Sequence, residues 1–403
     1  MTEEIYNRLY TDTDVPDMFF SLETNWQQWA ARGLLMPLDE VYASPVDETG
    51  LTLEEFLNPG IKDYGKLTDG HYYAIPWSDG ANGLIYNLNM FTENGWEVPE
   101  TVDDLIALCA EIKALPCNAD ADPNNDIAPF AWAGPQAAYW DFLVETWWAQ
   151  YEGEEKFTEF FKFEDPFVYV QQGRVEALRA FSDLVVNTNT YAAPKNSISG
   201  ALGTTYTLSQ QAFLQGKAAM IPNGPWMENE MKTFIKDGFE MRLMPTPYIE
   251  GAKTDSSGDY IQINASSAGD FFCIPKNAYN TEGAIKFMKF INTRSASETY
   301  TKVTGGMRPF QYKASEIKGL QVSGFIQSCL DVYENSVTVY HYSTSPMQWL
   351  NKLGKWPEVG SPYVAMIGGE YLTETSDDQA VQICQICCDY AYNEWWDIYN
   401  SVF

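Results

Sequence analysis

The sequence predicts an α/β protein built in two lobes, and three observations carry that prediction. At 403 residues the chain is longer than one hydrophobic core usually serves. Short apolar strand-like runs alternate with amphipathic helical segments along most of its length. The stretch Ala74-Ile-Pro-Trp-Ser-Asp-Gly-Ala-Asn-Gly-Leu-Ile-Tyr-Asn-Leu-Asn-Met-Phe91 holds two such runs, broken by polar Ser78-Asp79-Gly80 and Asn82-Gly83. It reads either as a hairpin or as a strand that leaves one sheet and enters another.

Taken in order, Val15-Pro-Asp-Met-Phe-Phe-Ser is a turn followed by a buried strand, and Trp26–Arg32 is a helix that stops at Gly33. Thr101 and Asp104 form a helix N-terminal pair, followed by an apolar face of Leu105, Leu108, Cys109 and Ile112. Residues 118–130 form a polar loop, 130–151 an aromatic-rich stretch, and 174–187 a helix. A short helix over 209–215 ends at Gly216. Ala218-Ala-Met-Ile-Pro is a strand running into the turn Asn223-Gly-Pro-Trp226, and strands follow at 241–244 and 271–274. Thr281 is the expected cap of a helix whose apolar face is Ala284, Phe287, Met288 and Ile291. From about 315 the chain reads mainly as helices, with Gly/Pro turns around 354–369.

Charge narrows the function. With 25 Lys and Arg against 55 Asp and Glu, the net charge of −30 repels nucleic acid and anionic lipid, and a neutral or cationic ligand fits better. No run of eighteen apolar residues is present to span a membrane. The 13 Trp, 25 Tyr and 22 Phe exceed what a core needs, leaving enough to line a cleft. Ala380, Ile383, Cys384, Cys387 and Ala391 fall at helical spacing, which favours a buried stripe over a metal site. Cys109 and Cys117 bracket a helix end and could pair in an oxidising compartment, but seven cysteines give no clean framework. The sequence holds no nucleophile elbow, phosphate-cradling loop or zinc-protease motif. His71 and His341 are isolated.

Asp14-Val-Pro-Asp-Met-Phe-Phe, Gly33-Leu-Leu-Met-Pro-Leu-Asp, Gly83-Leu-Ile-Tyr-Asn-Leu-Asn-Met-Phe and Pro99-Glu-Thr-Val-Asp-Asp-Leu occur in that order. Phe213-Leu-Gln-Gly-Lys-Ala-Ala-Met, Asn223-Gly-Pro-Trp and Ile274-Pro-Lys with the helix after it follow. In order and spacing they resemble the maltose-binding type of solute receptor of carbohydrate ABC importers, well over about 10–315 and loosely beyond. The resemblance implies two α/β lobes closing on a ligand, one of 1–78 plus 268–314 and one of 84–262 plus 318–403. Crossovers would lie near 79–83, 263–267 and 315–317. It further implies a monomeric, extracytoplasmic binding protein, at the cell surface or in the periplasm and in some members lipid-anchored. Its partners would be a permease pair and an ATPase, with no catalysis and no cofactor. Receptors of this type open with a strand-helix-strand unit that precedes the residues seen here, so a longer, exported polypeptide is expected.

Sugars are held by aromatic faces and by side chains that bond hydroxyls. Trp226 occupies the turn where the family places a stacking aromatic, and Asp79 lies in the first crossover. Tyr139 and Trp140 resemble another aromatic contact of the family. Trp77, Asn82 and Trp132 are further candidates, Arg308 could bond a hydroxyl or brace the hinge, and Trp349 or Tyr363 could add an aromatic. Asp120, Asp122, Asn124 and Asp126 alternate as calcium ligands do, and some receptors of this type carry calcium there. The stretch lacks the loop's glycine and terminal glutamate, which favours a solvated Asx turn. A glycoside hydrolase with paired carboxylates across an aromatic cleft is the alternative class, and a peptide or polyamine receptor a third.

Overall fold

The computed structural model describes residues 2–22, 26–62, 64–67, 69–120, 122–162, 165–267, 270–341, 362–373 and 378–402. Nine strands occur among the described residues: β1 Phe19–Leu22, β2 Ile75–Pro76, β3 Gly83–Asn87, β4 Ala128–Phe130, β5 Ala218–Asn223, β6 Met241–Leu243, β7 Ile263–Ser267, β8 Asp270–Cys273 and β9 Val337–His341. They form a sheet of order β1-β8-β2, a second of order β4-β5-β3-β6, and a separate parallel pair, β7-β9. In the first sheet Phe19 lies opposite Cys273 and Ile75 opposite Phe272, both antiparallel. In the second, β3 runs antiparallel to β5 and β6, and β4 runs parallel to β5.

The broken stretch is not a hairpin. β2 belongs to the first sheet and β3 to the second, so residues 77–82 carry the chain across. The chain returns from β7, paired to β9, into β8 of the first sheet. Central β5 is buried at all six residues, which explains its small and apolar run.

Local chemistry accounts for the helices. The reciprocal bonds of Thr101 and Asp104 are both present at the start of helix Val102–Lys113, and Leu105, Leu108, Cys109 and Ile112 are buried. Gly33 and Gly216 take left-handed conformations just past their helices, with φ of 69° and 78°. Helix Thr281–Ile291 departs from expectation twice. Its cap is Asn280, whose Oδ1 accepts from Gly283 N at 3.0 Å, and Phe287 is 49% exposed. Ala284, Met288 and Ile291, at i, i+4 and i+7, make the narrower buried stripe.

Ala380, Ile383, Cys384 and Cys387 are buried along helix Gln379–Val402. All seven cysteines are free, including Cys109 and Cys117. In the region expected to be helical, β9 is a strand, preceded by helix Gly324–Glu334. That helix packs on β6, where Ser328 Oγ accepts from Leu243 N at 2.9 Å.

Arg308 ties the link between the two sheets to the end of helix Thr281–Ile291. It is fully buried, and its guanidinium donates to Trp77 O at 2.5 Å, Ile291 O at 3.0 Å and Asn292 Oδ1 at 2.6 Å. Its charge lies 3.9 Å from the Trp77 ring centre. Burial pushes its pKa down to about 9, which leaves it cationic at neutral pH. Ile291 ends helix Thr281–Ile291, so the charge also meets the negative end of that helix's dipole. Arg308→Met would leave three buried acceptors without a donor, each worth roughly 1–3 kcal/mol. A fall in melting temperature on the order of 10 °C is expected in thermal denaturation; an unchanged transition would refute this bracing role.

Candidate functional site

The six residues that join the two sheets form one wall of a cleft. Trp77 N donates to Asp270 O at 2.8 Å and Ser78 Oγ to Asp270 Oδ2 at 2.8 Å, so the chain stays anchored to β8 as it leaves the sheet. Asn264 of β7 then holds the polar break from beneath. Its Nδ2 donates to Gly80 O at 3.2 Å and its Oδ1 accepts from Asn82 N at 3.1 Å.

Asp79 is buried, and both its carboxylate oxygens are engaged by the protein. Oδ1 accepts from Ser266 Oγ at 2.5 Å and from Gly80 N at 2.8 Å. Oδ2 accepts from Tyr333 OH at 2.6 Å, Tyr340 OH at 3.0 Å and Asn58 Nδ2 at 3.3 Å. Its own N–H donates to Met307 O at 2.9 Å. Five donors meet the roughly four acceptor positions of a carboxylate. Burial pushes the pKa of Asp79 up, and the bonds from Ser266, Tyr333, Gly80 and Tyr340 pull against that shift.

The opposite wall follows β5. Asn223-Gly-Pro-Trp turns into helix Trp226–Glu230, and the half-buried Trp226 ring lies against Gly224, where a side chain would strike that ring and Asn82 Oδ1. Tyr139 and Phe142 meet Trp226 edge-on, with ring centres 6.1 Å and 5.8 Å away. The cleft so formed has a volume of about 230 Å³. Ser78, Asp79, Asn82, Trp226, Asn229, Ser266, Asp270, Tyr300 and Thr304 are among the residues that line it. Two aromatic rings, Trp226 and Tyr300, thus stand among amides, hydroxyls and two carboxylates, the set that a polyhydroxylated ligand needs.

The structure brings Asp79, Asn82 and Trp226 to this cleft, with Tyr139 supporting Trp226. Trp132 and Trp140 are core residues. Trp132 Nε1 donates to Ser197 Oγ at 2.8 Å, and Trp140 packs edge-on to Phe130, Trp132 and Phe181. The 3₁₀ turn over Gly134–Trp140 explains the split, because it turns Tyr139 outward and Trp140 inward. Trp77 is wedged between Phe20, Phe272 and Tyr300 with the Arg308 charge near its ring, and Arg308 itself is enclosed below. Tyr363 is buried against Phe181 and donates to Asp141. Trp349 lies outside the described residues.

The acidic loop folds on itself. Asp120 Oδ1 accepts from Asp122 N at 2.7 Å, and Asp122 Oδ1 accepts from Asn124 N at 3.0 Å, which are Asx turns. Asp126 is exposed, and among the described residues no group of three or more His, Cys, Asp and Glu is gathered for a metal.

Sequence reasoning missed Asn229, Ser266, Asp270, Tyr300 and Thr304. Asn229 lies one helical turn beyond Trp226 and was legible from that spacing. Asp270 opens a strand and Tyr300 and Thr304 sit within helix Arg294–Thr304, positions that carry no local signal.

The chain is similar to several known solute-binding proteins. The chain is 24% identical over 273 residues to the diacetylchitobiose binding protein NgcE of Streptomyces coelicolor, covering 66% of this chain and 52% of that protein. It is 26% identical over 281 residues to the maltotriose-binding protein of Pyrococcus abyssi, covering 69% and 51%. The chain thus spans about half the length of these relatives. The GacH receptor of Streptomyces glaucescens, solved unliganded and with acarbose, superposes with a TM-score of 0.66 at 19% identity, covering 98% of this chain and 87% of that one. Such a likeness establishes the two-lobed α/β fold. The model of the bacterial extracellular solute-binding proteins matches residues 3–323, most of the sequence, and the chain belongs to that family.

Proposed function

We propose that the chain is the substrate-binding receptor of an ABC importer, taking a neutral carbohydrate into the cleft and delivering it to a membrane permease with its ATPase. The observation that carries this reading is Trp226, half-buried at the cleft with Asn82, Asn229, Asp270 and Thr304 around it. Relatives named for diacetylchitobiose and maltotriose, and a structural neighbour solved with acarbose, support the ligand class. The volume of about 230 Å³ is below the roughly 300–1,000 Å³ of drug-sized sites. An oligosaccharide would therefore enter by one end, or on a more open arrangement of the lobes.

The lobes divide as 1–78 with 268–314 and 84–262 with 318–403, in keeping with the two sheets. The receptor works as a monomer outside the cytoplasm, on the cell surface or in the periplasm. Among the described residues no helix is long and apolar enough to cross a membrane. The protein performs no turnover. Asp79, one of the two carboxylates at the cleft, is already bonded to five internal donors and is poorly placed to serve as base or nucleophile.

A thermal-shift screen over neutral oligosaccharides identifies the ligand, since one at 100 times its Kd adds about 2.7 kcal/mol. Trp226→Ala is then expected to weaken binding at least about tenfold in calorimetric titration. Because the ring is only half-buried, the ligand-free melting temperature should fall by no more than about 2–4 °C. Full affinity in Trp226→Ala would remove the stacking role. Prolonged incubation with the bound sugar should return it unchanged by chromatography, and release of shorter sugars would favour a hydrolase.

A further inference from the structure

Four side-chain hydroxyls line the cleft, those of Ser78, Ser266, Tyr300 and Thr304. Each carries one proton to donate, and three of the four direct it into the protein. Ser78 Oγ donates to Asp270 Oδ2 at 2.8 Å, Ser266 Oγ to Asp79 Oδ1 at 2.5 Å, and Thr304 Oγ1 to Tyr300 O at 2.8 Å. Among the described residues no acceptor takes the proton of the Tyr300 hydroxyl. No lysine or arginine lines the cleft. The phenol of Tyr300 is therefore the side-chain donor that the first-lobe wall can offer to a ligand.

The ring is held ready for that role. Trp77 meets it edge-on with ring centres 5.3 Å apart, and the Arg308 guanidinium lies 5.9 Å from its centre. Trp77 is itself fixed at both ends of its peptide unit, its N donating to Asp270 O and its O accepting from Arg308. Gly306 keeps the hydroxyl end of the ring open to the cleft. A Cβ there would lie 3.3 Å from Tyr300 Oη and Cε1 and 3.4 Å from Thr304 Oγ1. Burial pushes the pKa of the phenol up, against the pull of the Thr304 hydroxyl and the Arg308 charge, so it keeps its proton at neutral pH. Tyr300 stands on helix Arg294–Thr304 of the first lobe, whereas Trp226 follows β5 of the second.

We infer that Tyr300 is a specificity-determining ligand contact, its hydroxyl donating to a sugar oxygen while Asp270 accepts from the hydroxyl next to it. A sugar ring lying on Trp226 would thus present a free pair of adjacent oxygens to the first lobe. The ligand bridges the two lobes in this way, stacked on one and hydrogen-bonded to the other. This inference deepens the carbohydrate reading and rests on it.

The test is calorimetric titration of the full chain with maltotriose, cellotriose, xylotriose, mannotriose and raffinose. The tightest binder among them is expected to bind Tyr300→Phe about five- to tenfold more weakly, the loss that goes with one hydrogen bond. The variant keeps the ring and its contact with Trp77, so the ligand-free melting temperature should stay within about 2 °C of the native value. Tyr279→Phe removes a hydroxyl from a ring that is 97% exposed and should leave the affinity within about twofold. Full affinity in Tyr300→Phe, or an equal loss in Tyr279→Phe, would overturn the contact. A loss in Trp226→Ala in the same titrations would then leave the carbohydrate reading standing without it. Failure of all five sugars to bind the native chain would overturn the contact and count against that reading as well.

Discussion

The carboxylate of Asp79 is the point on which the arrangement of this molecule depends. It sits in the six-residue link between the two sheets and accepts from Ser266 of β7, Tyr333 of helix Gly324–Glu334, Tyr340 of β9, Asn58 and the N–H of Gly80. Segments separated by up to 261 residues in sequence are thereby fixed to one buried group. Removing a charge from water is costly unless hydrogen bonds replace the solvent, and here five donors offset that cost in part, burial still holding the carboxyl above its usual range. Arg308 is the cationic counterpart in the layer below, with carbonyls, a side-chain amide and a ring in place of a carboxylate partner.

That arrangement explains how the cleft can be polar without being loose. The residues that line it stand on a backbone already clamped by Asn264, Asp270 and Met307. Trp226 is supported edge-on by two rings and presents its remaining surface to the cleft. Such pre-organisation lowers the entropy that a ligand must overcome on binding.

Much of this was legible in the sequence, and the limits have physical causes. The break at Ser78–Gly83 marked an interruption between two strands because Gly and Asp are disfavoured in mid-strand, but it left a hairpin and a sheet-to-sheet link open, and the family resemblance pointed to the link. The Thr101–Asp104 cap was legible because its bonds are local. Asp79 was legible as a cleft residue but its internal partners were not, since an acid at a turn looks the same whether its acceptors face a ligand or Tyr333 and Tyr340. Those tyrosines lie more than 250 positions away, and no local pattern links them to Asp79. Trp132 and Trp140 show the same limit, because an aromatic at a junction can turn either way. Only the 3₁₀ turn decides that Tyr139 faces Trp226 while Trp140 enters the core. β9 escaped notice for a related reason. Val-Thr-Val-Tyr-His is strand-like in composition, but its pairing partner β7 is over 70 residues earlier.

The most direct test of the account is a crystal structure of the full chain with a bound neutral oligosaccharide. In that structure a sugar ring should stack on Trp226, with hydroxyls bonded to Asp270 and to Asn82 or Asn229. Asp79 should still be bonded to Ser266, Tyr333 and Tyr340 and make no contact with the sugar. A structure in which Asp79 has released the tyrosines and bonds the sugar directly, or in which the sugar sits away from Trp226, would contradict it.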